Sequence, residues 1–378
     1  MLRDACRRNA YLPGMQRVGV VATVLCAASL AACGGGGQQA APAGGTANGS
    51  VPSSTSGADL TGAGATFPYP IYSKWFAEYA AKTGVKINYQ SIGSGGGIRQ
   101  LTEGTVDFGA SDAPMTDEEM SKLKTPVYHV PTVLGAVVIT YNVPGVTQPL
   151  KLAGDVVADV FAGKLTKWND PRITATNAGT KLPAQDILVV HRSDGSGTTY
   201  IFSDYLSAVN PAWAKAPGKG KELQWPAGVG AKGNEGVAGQ VKQTPGAIGY
   251  VELAYARQNS LPYASIKNAA GQFVAPSIES VTADAAGMAS RLSPSTDFRV
   301  SVVNGPGVGA YPISSFTFLL IPKTIPDAAK GKKLVDFVKW ALSTGEGEAA
   351  ALDYAPLPAA IASMLTPRLD SIKVGSTA

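Results

Sequence analysis

"ILVVHRSDGSGTTYIF", Ile187 to Phe202, changes character twice within sixteen residues. Its opening Ile-Leu-Val-Val is an apolar run of strand length, and Tyr200 to Leu206 has the composition of a helix. Between them, Arg192 to Tyr200 gathers one guanidinium, one carboxylate and four serine and threonine hydroxyls around two glycines. A strand that feeds a donor-rich turn and then a helix is the repeating unit of an α/β fold. The same alternation recurs along the chain. Ile71, Trp75, Phe76 and Tyr79 at helical spacing predict a helix over Pro70–Gly84, with proline in the first turn and glycine past the end. Val85, Ile87 and Tyr89 alternate with polar residues as in a half-buried strand. Further strands are expected at Val106–Ala110, Val133–Tyr141, Ile248–Glu252 and Phe316–Ile321, a short helix carrying Ile98 and Leu101, and another helix at Lys332–Leu342. No repeat of fixed period is present.

Two further segments share the small, donor-rich character of the Arg192 turn: Thr61–Phe67 (TGAGATF) and Gly93–Gly97 (GSGGG). Each precedes an expected helix. The first turn of a helix has N–H groups without partners, the helix dipole favours negative charge there, and glycine lets a ligand approach the backbone. Each turn is therefore a candidate anion cradle, to which Thr66, Ser94, Ser196 and Thr198 add hydroxyls. Taken singly, such a turn is more often plain helix capping; three with an arginine nearby favour the cradle. Side chains alternate along the strand that ends at Arg192, so His191 and Arg192 point to opposite faces. Arg192 is the better cradle residue, because a guanidinium stays ionised and forks onto an oxyanion, while Asp194 can brace it. A solvated surface ion pair is the alternative for these two, and packing is the expected role of His191.

Other chemistry finds little support. Gly228–Gly233 matches G-x-G-x-x-G, but Trp225-Pro226 precedes it where a buried strand should be. No P-loop or G-x-S-x-G elbow occurs, and two histidines, His129 and His191, supply neither a zinc site nor a Ser/His triad. No metal, cofactor or catalytic residue is expected.

The 378 residues, 45% hydrophobic and 16% charged, exceed one ordinary core and suggest two lobes. Arg3, Arg7, Arg8 and Arg17 precede an uncharged apolar run of about 13 residues, Val18–Leu30, which suits a signal h-region and is too short to span a bilayer. Residues 1–32 thus read as a signal peptide, and Leu30-Ala31-Ala32-Cys33 resembles a bacterial lipobox with Cys33 as lipid attachment site. Losing Cys6 and Cys26 with the signal leaves no internal disulfide. Losing four arginines and Asp4 lowers the formal charge from +5 to +2, so nucleic-acid binding gains no support. Residues 33–57 form an uncharged Gly/Ala/Ser/Pro-rich tether reaching on the order of 25–30 Å.

Six stretches, "TGAGATFPYPIYSKW", "NYQSIGSGGGIRQL", "VDFGASDAPMT", "FAGKLTKWNDPRI", "HRSDGSGTTYIF" and "PGAIGYVELAYA", closely resemble the phosphate-binding proteins of bacterial ABC phosphate importers, from about Ala58 to the C-terminus. The resemblance implies a periplasmic-binding-protein fold: two α/β lobes joined by two crossing strands, closing over one phosphate in the cleft between them. It implies lobe I at 58–131 and 305–378, with lobe II at 132–304. Carried over by motif, Thr66, Phe67, Ser94, Arg192, Ser196, Gly197 and Thr198 supply donors, Asp112 accepts from a protonated phosphate oxygen, and Asp194 braces Arg192. The resemblance implies a receptor serving a permease with its ATPase complex, expected to be a monomer; the signal and lipobox add export and a lipid anchor at the periplasmic or outer face of a membrane, which departs from family members that are freely soluble in the periplasm. A phosphate-ester hydrolase and a receptor for another tetrahedral anion such as sulfate are the alternatives. For Asp112 the competing role is to cap a helix over Pro114–Leu123.

Overall fold

A computed structural model describes residues 60–287, 291–293, 295 and 297–375. These all belong to one compact unit, Thr55–Ala378. The signal, Cys33 and the tether lie outside the described residues. Among the described residues, no helix is long and apolar enough to cross a membrane.

Eight strands carry the argument: β1 Leu60–Gly64, β2 Ile87–Ser91, β3 Phe108–Ser111, β4 Val127–Tyr141, β5 Leu188–Arg192, β6 Val229–Ala231, β7 Ala247–Glu252 and β8 Ser314–Pro322. They lie side by side in the order β2-β1-β3-β8-β4-β7-β5-β6, and Ala355–Pro356 adds a short pairing to β4. β4 is the hub. Its residues Val127–Ala136 pair antiparallel with β8, and Val137–Tyr141 pair antiparallel with β7. The strand therefore passes from one half of the sheet into the other. β8 runs beside it in the opposite direction, entered through a bond from Val137 N–H to Ile313 O of 2.8 Å. These are the two crossing segments expected of the fold. The outer strands of each half, β2-β1-β3 and β5-β6, are parallel and fed by helices, as the sequence alternation requires.

Each half has its own aromatic core. Helix α1, Tyr69–Thr83, buries Tyr72, Trp75, Phe76 and Tyr79 and ends on Gly84 in the left-handed conformation, one residue from the expected bounds. Phe76 stacks near Tyr89, Phe108 and Phe337 at centroid distances of 5.6, 6.4 and 5.4 Å. In the other half Phe202, Tyr250 and Phe161 pack together, with Phe202 and Tyr250 stacked at 4.3 Å.

Two expectations change. Thr61–Gly64 is strand, with only the residues after it forming the turn; Gly62 permits this, because a Cβ there would lie 2.3 Å from the Phe108 ring. β4 begins six residues before Val133, running through Pro131. The register with β8 shifts between Thr317 and Phe318, leaving Thr132 unpaired beside Pro131, and a bulge is where a strand tolerates proline.

Candidate functional site

The three donor-rich segments meet. Helix α2, Ser94–Glu103, and helix α4, Gly197–Val209, both start inside the glycine-rich segments rather than after them; the short helix α3, Asp117–Ser121, lies between them in the chain. Ser196 caps α4 by accepting from Thr199 N–H at 3.0 Å. Gly95 N–H donates to Gly195 O at 2.8 Å, and Ser94 Oγ accepts from Gly197 N–H at 3.1 Å and from Asp112 N–H at 3.2 Å. The turn after β2, the end of β3 and the turn after β5 are thus sewn together. A Cβ on Gly197 would sit 2.5 Å from both Asp112 Oδ2 and Ser94 Oγ, so glycine is required for this approach.

Arg192 is 3% exposed at the end of β5, on the face opposite His191. Its Nε and Nη2 fork onto the two oxygens of Asp194 at 2.7 and 2.5 Å, and Nη1 reaches Thr198 Oγ1 at 3.3 Å. Burial opposes the charge on Arg192, but the Asp194 carboxylate more than compensates and raises its pKa; Asp194, despite its own burial, is lowered by the same pairing. Asp194 also accepts from Gly233 N–H at 3.1 Å. The surface-pair alternative is excluded by this burial. His191 stacks on Trp225 at 4.7 Å and 10°, as a packing residue.

Asp112 is 1% exposed, and its Oδ1 accepts from Thr317 Oγ1 at 2.8 Å. Burial pushes its pKa up to about 7, against the opposing pull of Thr317, Arg192 and Ser94. It does not cap a helix. α3 is shorter than the expected Pro114–Leu123 and is capped by Thr116, in a reciprocal box with Glu119.

Thr66 and Phe67 lie in the turn between β1 and α1. Thr66 O accepts from Tyr255 Oη at 2.6 Å and Phe67 O from Tyr354 Oη at 2.6 Å, which fixes the backbone whose N–H groups open α1. All eight proposed ligands therefore gather where the halves of the sheet meet, with Asp194 behind Arg192. Sequence reasoning missed Thr317, Tyr250, Glu252 and above all Asn234. Tyr250 Oη accepts from Arg192 N–H at 3.1 Å, and Asn234 Nδ2 donates to Thr66 Oγ1 at 2.7 Å and Thr198 Oγ1 at 3.1 Å. The Gly228–Gly233 motif next to Asn234 is not a dinucleotide turn: β6 lies inside it and the following helix, α5 at Gly233–Gln243, begins on its last glycine. No cluster of three or more metal-ligating side chains occurs among the described residues.

The arrangement, one braced cation, a ring of N–H and O–H donors and a single carboxyl able to keep its proton partner, suits a partly protonated oxyanion. The PBP superfamily domain matches residues 40–344. The chain is 48% identical over 316 residues to the phosphate-binding protein PstS of Xylella fastidiosa, covering 82% of this chain and 86% of that one. It belongs to the PstS family of phosphate-binding proteins. A second relative of that family, from Pasteurella multocida, is 47% identical, covering 79% of this chain and 86% of its own. The fold agrees with solved structures: a periplasmic phosphate-binding protein with phosphate bound has a TM-score of 0.63 at 22% identity, covering 82% of this chain and 93% of that one. A phosphate-binding protein from Stenotrophomonas maltophilia has a TM-score of 0.62 at 20% identity, with the same two coverages.

Proposed function

We propose that this chain is the phosphate receptor of an ABC importer. It closes on one inorganic phosphate outside the cytoplasmic membrane and delivers it to a permease driven by its ATPase complex. The observation that carries this reading is the meeting of the buried Arg192–Asp194 pair with the buried Asp112 across three donor-rich helix starts. In this reading Thr66, Phe67, Ser94, Arg192, Ser196, Gly197 and Thr198 donate to phosphate oxygens. Asp112 accepts a hydrogen bond from the O–H that phosphate carries and sulfate lacks. The lobes are 58–131 with 305–378, and 132–304; the exchange of partners along β4 between Ala136 and Val137 supports a hinge on that strand. Export through residues 1–32, a lipid on Cys33, the 33–57 tether and a monomeric state complete the proposal. The hydrolase alternative has no observation in its favour, since the relatives are named as phosphate-binding proteins.

Calorimetric titration with phosphate and with sulfate tests the reading. Tight phosphate binding with sulfate undetected is expected. Equal affinity for sulfate, or turnover of a chromogenic phosphomonoester, overturns it.

A further inference from the structure

Asn234 opens α5, is fully buried, and lies in neither the donor-rich turns nor the six stretches that carry the family resemblance. Its Oδ1 accepts from Glu252 N–H at 2.9 Å, which orients the amide so that its NH2 faces the two threonines. Those two hydrogens go to Thr66 Oγ1 at 2.7 Å and Thr198 Oγ1 at 3.1 Å. Each hydroxyl also receives a second donor. Thr66 Oγ1 accepts from Asn234 N–H at 3.3 Å, and Thr198 Oγ1 from Arg192 Nη1 at 3.3 Å. A hydroxyl has one hydrogen and two lone pairs. Both lone pairs are therefore occupied on both oxygens, and each O–H must be directed to an acceptor elsewhere. Among the described residues, no protein acceptor takes either one.

We propose that Asn234 is a positioning residue that fixes Thr66 and Thr198 as obligate donors to the bound anion, leaving Asp112 as the acceptor among the side chains of the site. The inference rests on the phosphate reading above. An unrestrained threonine hydroxyl donates or accepts as its neighbour requires, so it accommodates a second P–O–H as readily as a P–O⁻. With Asn234 in place, each phosphate oxygen other than the one facing Asp112 meets a donor, and extra protons on the ligand are mismatched. Removing Asn234 should thus harm binding of the dianion more than binding of the doubly protonated monoanion. A residue that merely supported the fold would lower both alike.

The experiment measures phosphate dissociation constants by calorimetry for the wild-type chain, Asn234→Ala, Thr198→Val and the double variant, on either side of the second ionisation of phosphate. The surrounding titratable and charged groups, Asp112, Arg192, Asp194 and Glu252, are the same in all four proteins and largely cancel in the ratios. Asn234→Ala is expected to weaken binding about 10- to 100-fold on the alkaline side, and several-fold less on the acid side. The double variant should lose less than the product of the single losses, because Asn234 acts through the hydroxyl that Thr198→Val deletes. Equal losses at both pH values, or strictly multiplicative losses, overturn the inference. If Asn234→Ala shows no cooperative unfolding, the isosteric Asn234→Asp decides: it keeps the acceptor for Glu252 N–H but offers the threonines an acceptor, drawing their hydrogens away. Wild-type affinity in Asn234→Asp overturns the inference. Failure of the wild-type chain to bind phosphate would instead bring down the functional reading itself.

Discussion

Arg192 and Asp112 stand on opposite halves of the sheet, and both are almost completely removed from water, at 3% and 1% exposure. Their charges are handled differently. Arg192 has its counter-ion two residues away, on the same turn, in a two-pronged pair that is complete before any ligand arrives. Asp112 has the hydroxyls of Thr317 and Ser94 and the more distant pull of Arg192 but no paired counter-ion, and burial pushes its pKa up to about 7. One half of the site is thus finished in itself, whereas the other is completed by what the ligand brings. Buried charges are costly unless paired and hydrogen-bonded, so the incomplete half is where selectivity can be exerted.

The largest effect should come from breaking the finished half. Arg192→Ala removes the cation and strands Asp194 in a largely buried position. Phosphate binding should weaken by about 2–5 kcal/mol, the range for truncating one member of a buried hydrogen-bonded charge pair. Arg192→Lys should restore part of the charge and little of the fork. An unchanged dissociation constant in Arg192→Ala would place the arginine outside the site.

Next comes the contact between the halves. A Cβ on Gly197 would collide with Asp112 and Ser94, which lie on the other half, at 2.5 Å. Gly197→Ala should therefore disturb the meeting of the halves more than the folding of either one. Phosphate affinity should fall by about 1–3 kcal/mol, the usual cost of overpacking a tight contact, with the unliganded melting temperature close to wild type. A large drop in that temperature with affinity preserved would assign the glycine to folding rather than to closure.

The finished half was the more legible in sequence, for a physical reason. Arg192, Asp194, Ser196 and Thr198 lie within seven residues, so a local pattern of strand, turn and helix carries the information. Strand alternation put Arg192 and His191 on opposite faces, and guanidinium chemistry chose Arg192 for the site; His191 stacks on Trp225. Asp112 was placed through family resemblance, and its partner Thr317 is 205 residues away, beyond any local pattern. Asn234 was invisible because a polar residue among glycines and the charged Lys232 and Glu235 looks like solvated loop; only the fold brings it to Thr66, 168 positions distant. β1 was misread because "TGAG" has turn composition, while Gly62 makes room for the Phe108 ring and Gly64 for the Ala110 backbone on the neighbouring strand. Tertiary packing overrode local propensity there, as it commonly does in strands.

A smaller effect tests the unfinished half through pH. The folded state holds the Asp112 proton up to about pH 7, against an ordinary value of 3.8. Below that ordinary value the carboxyl is protonated folded or unfolded and costs nothing. As pH rises through the window, the unfolded chain releases the proton first, so stability is lost until about pH 7 and then levels off. Asn cannot ionise. Without phosphate, Asp112→Asn should be more stable than wild type above the window by about 1–2 kcal/mol, less than the full shift implies, with the gain vanishing at acid pH. Urea unfolding across pH reads this directly. In the same variant, sulfate should gain affinity relative to phosphate, because the facing negative charge is gone. A pH-independent difference in stability, with selectivity unchanged, would remove Asp112 from the selectivity argument.

The smallest effect concerns a tie beside the site rather than within it. Lys221 Nζ meets the Glu119 carboxylate at 2.6 Å, and the two side chains are 14% and 25% exposed. Glu119 belongs to α3, on the Asp112 side, while the Lys221 carbonyl accepts from Ser196 N–H at 2.9 Å, on the Arg192 side. The pair therefore links the two unlike halves at the flank of the Ser196 turn. Glu119→Gln is the clean probe, since glutamine serves equally well in the capping box with Thr116 and removes only the charge. Ion pairs open to water contribute about 0.2–1 kcal/mol, and a loss of that size in phosphate affinity is expected, chiefly as faster dissociation. Salt should shrink the difference between variant and wild type, because the pair retains contact with solvent. A loss above about 2 kcal/mol that persists at high salt would exceed what a solvent-accessible pair supplies. It would make this flank, rather than the buried charges, the part that holds the halves together.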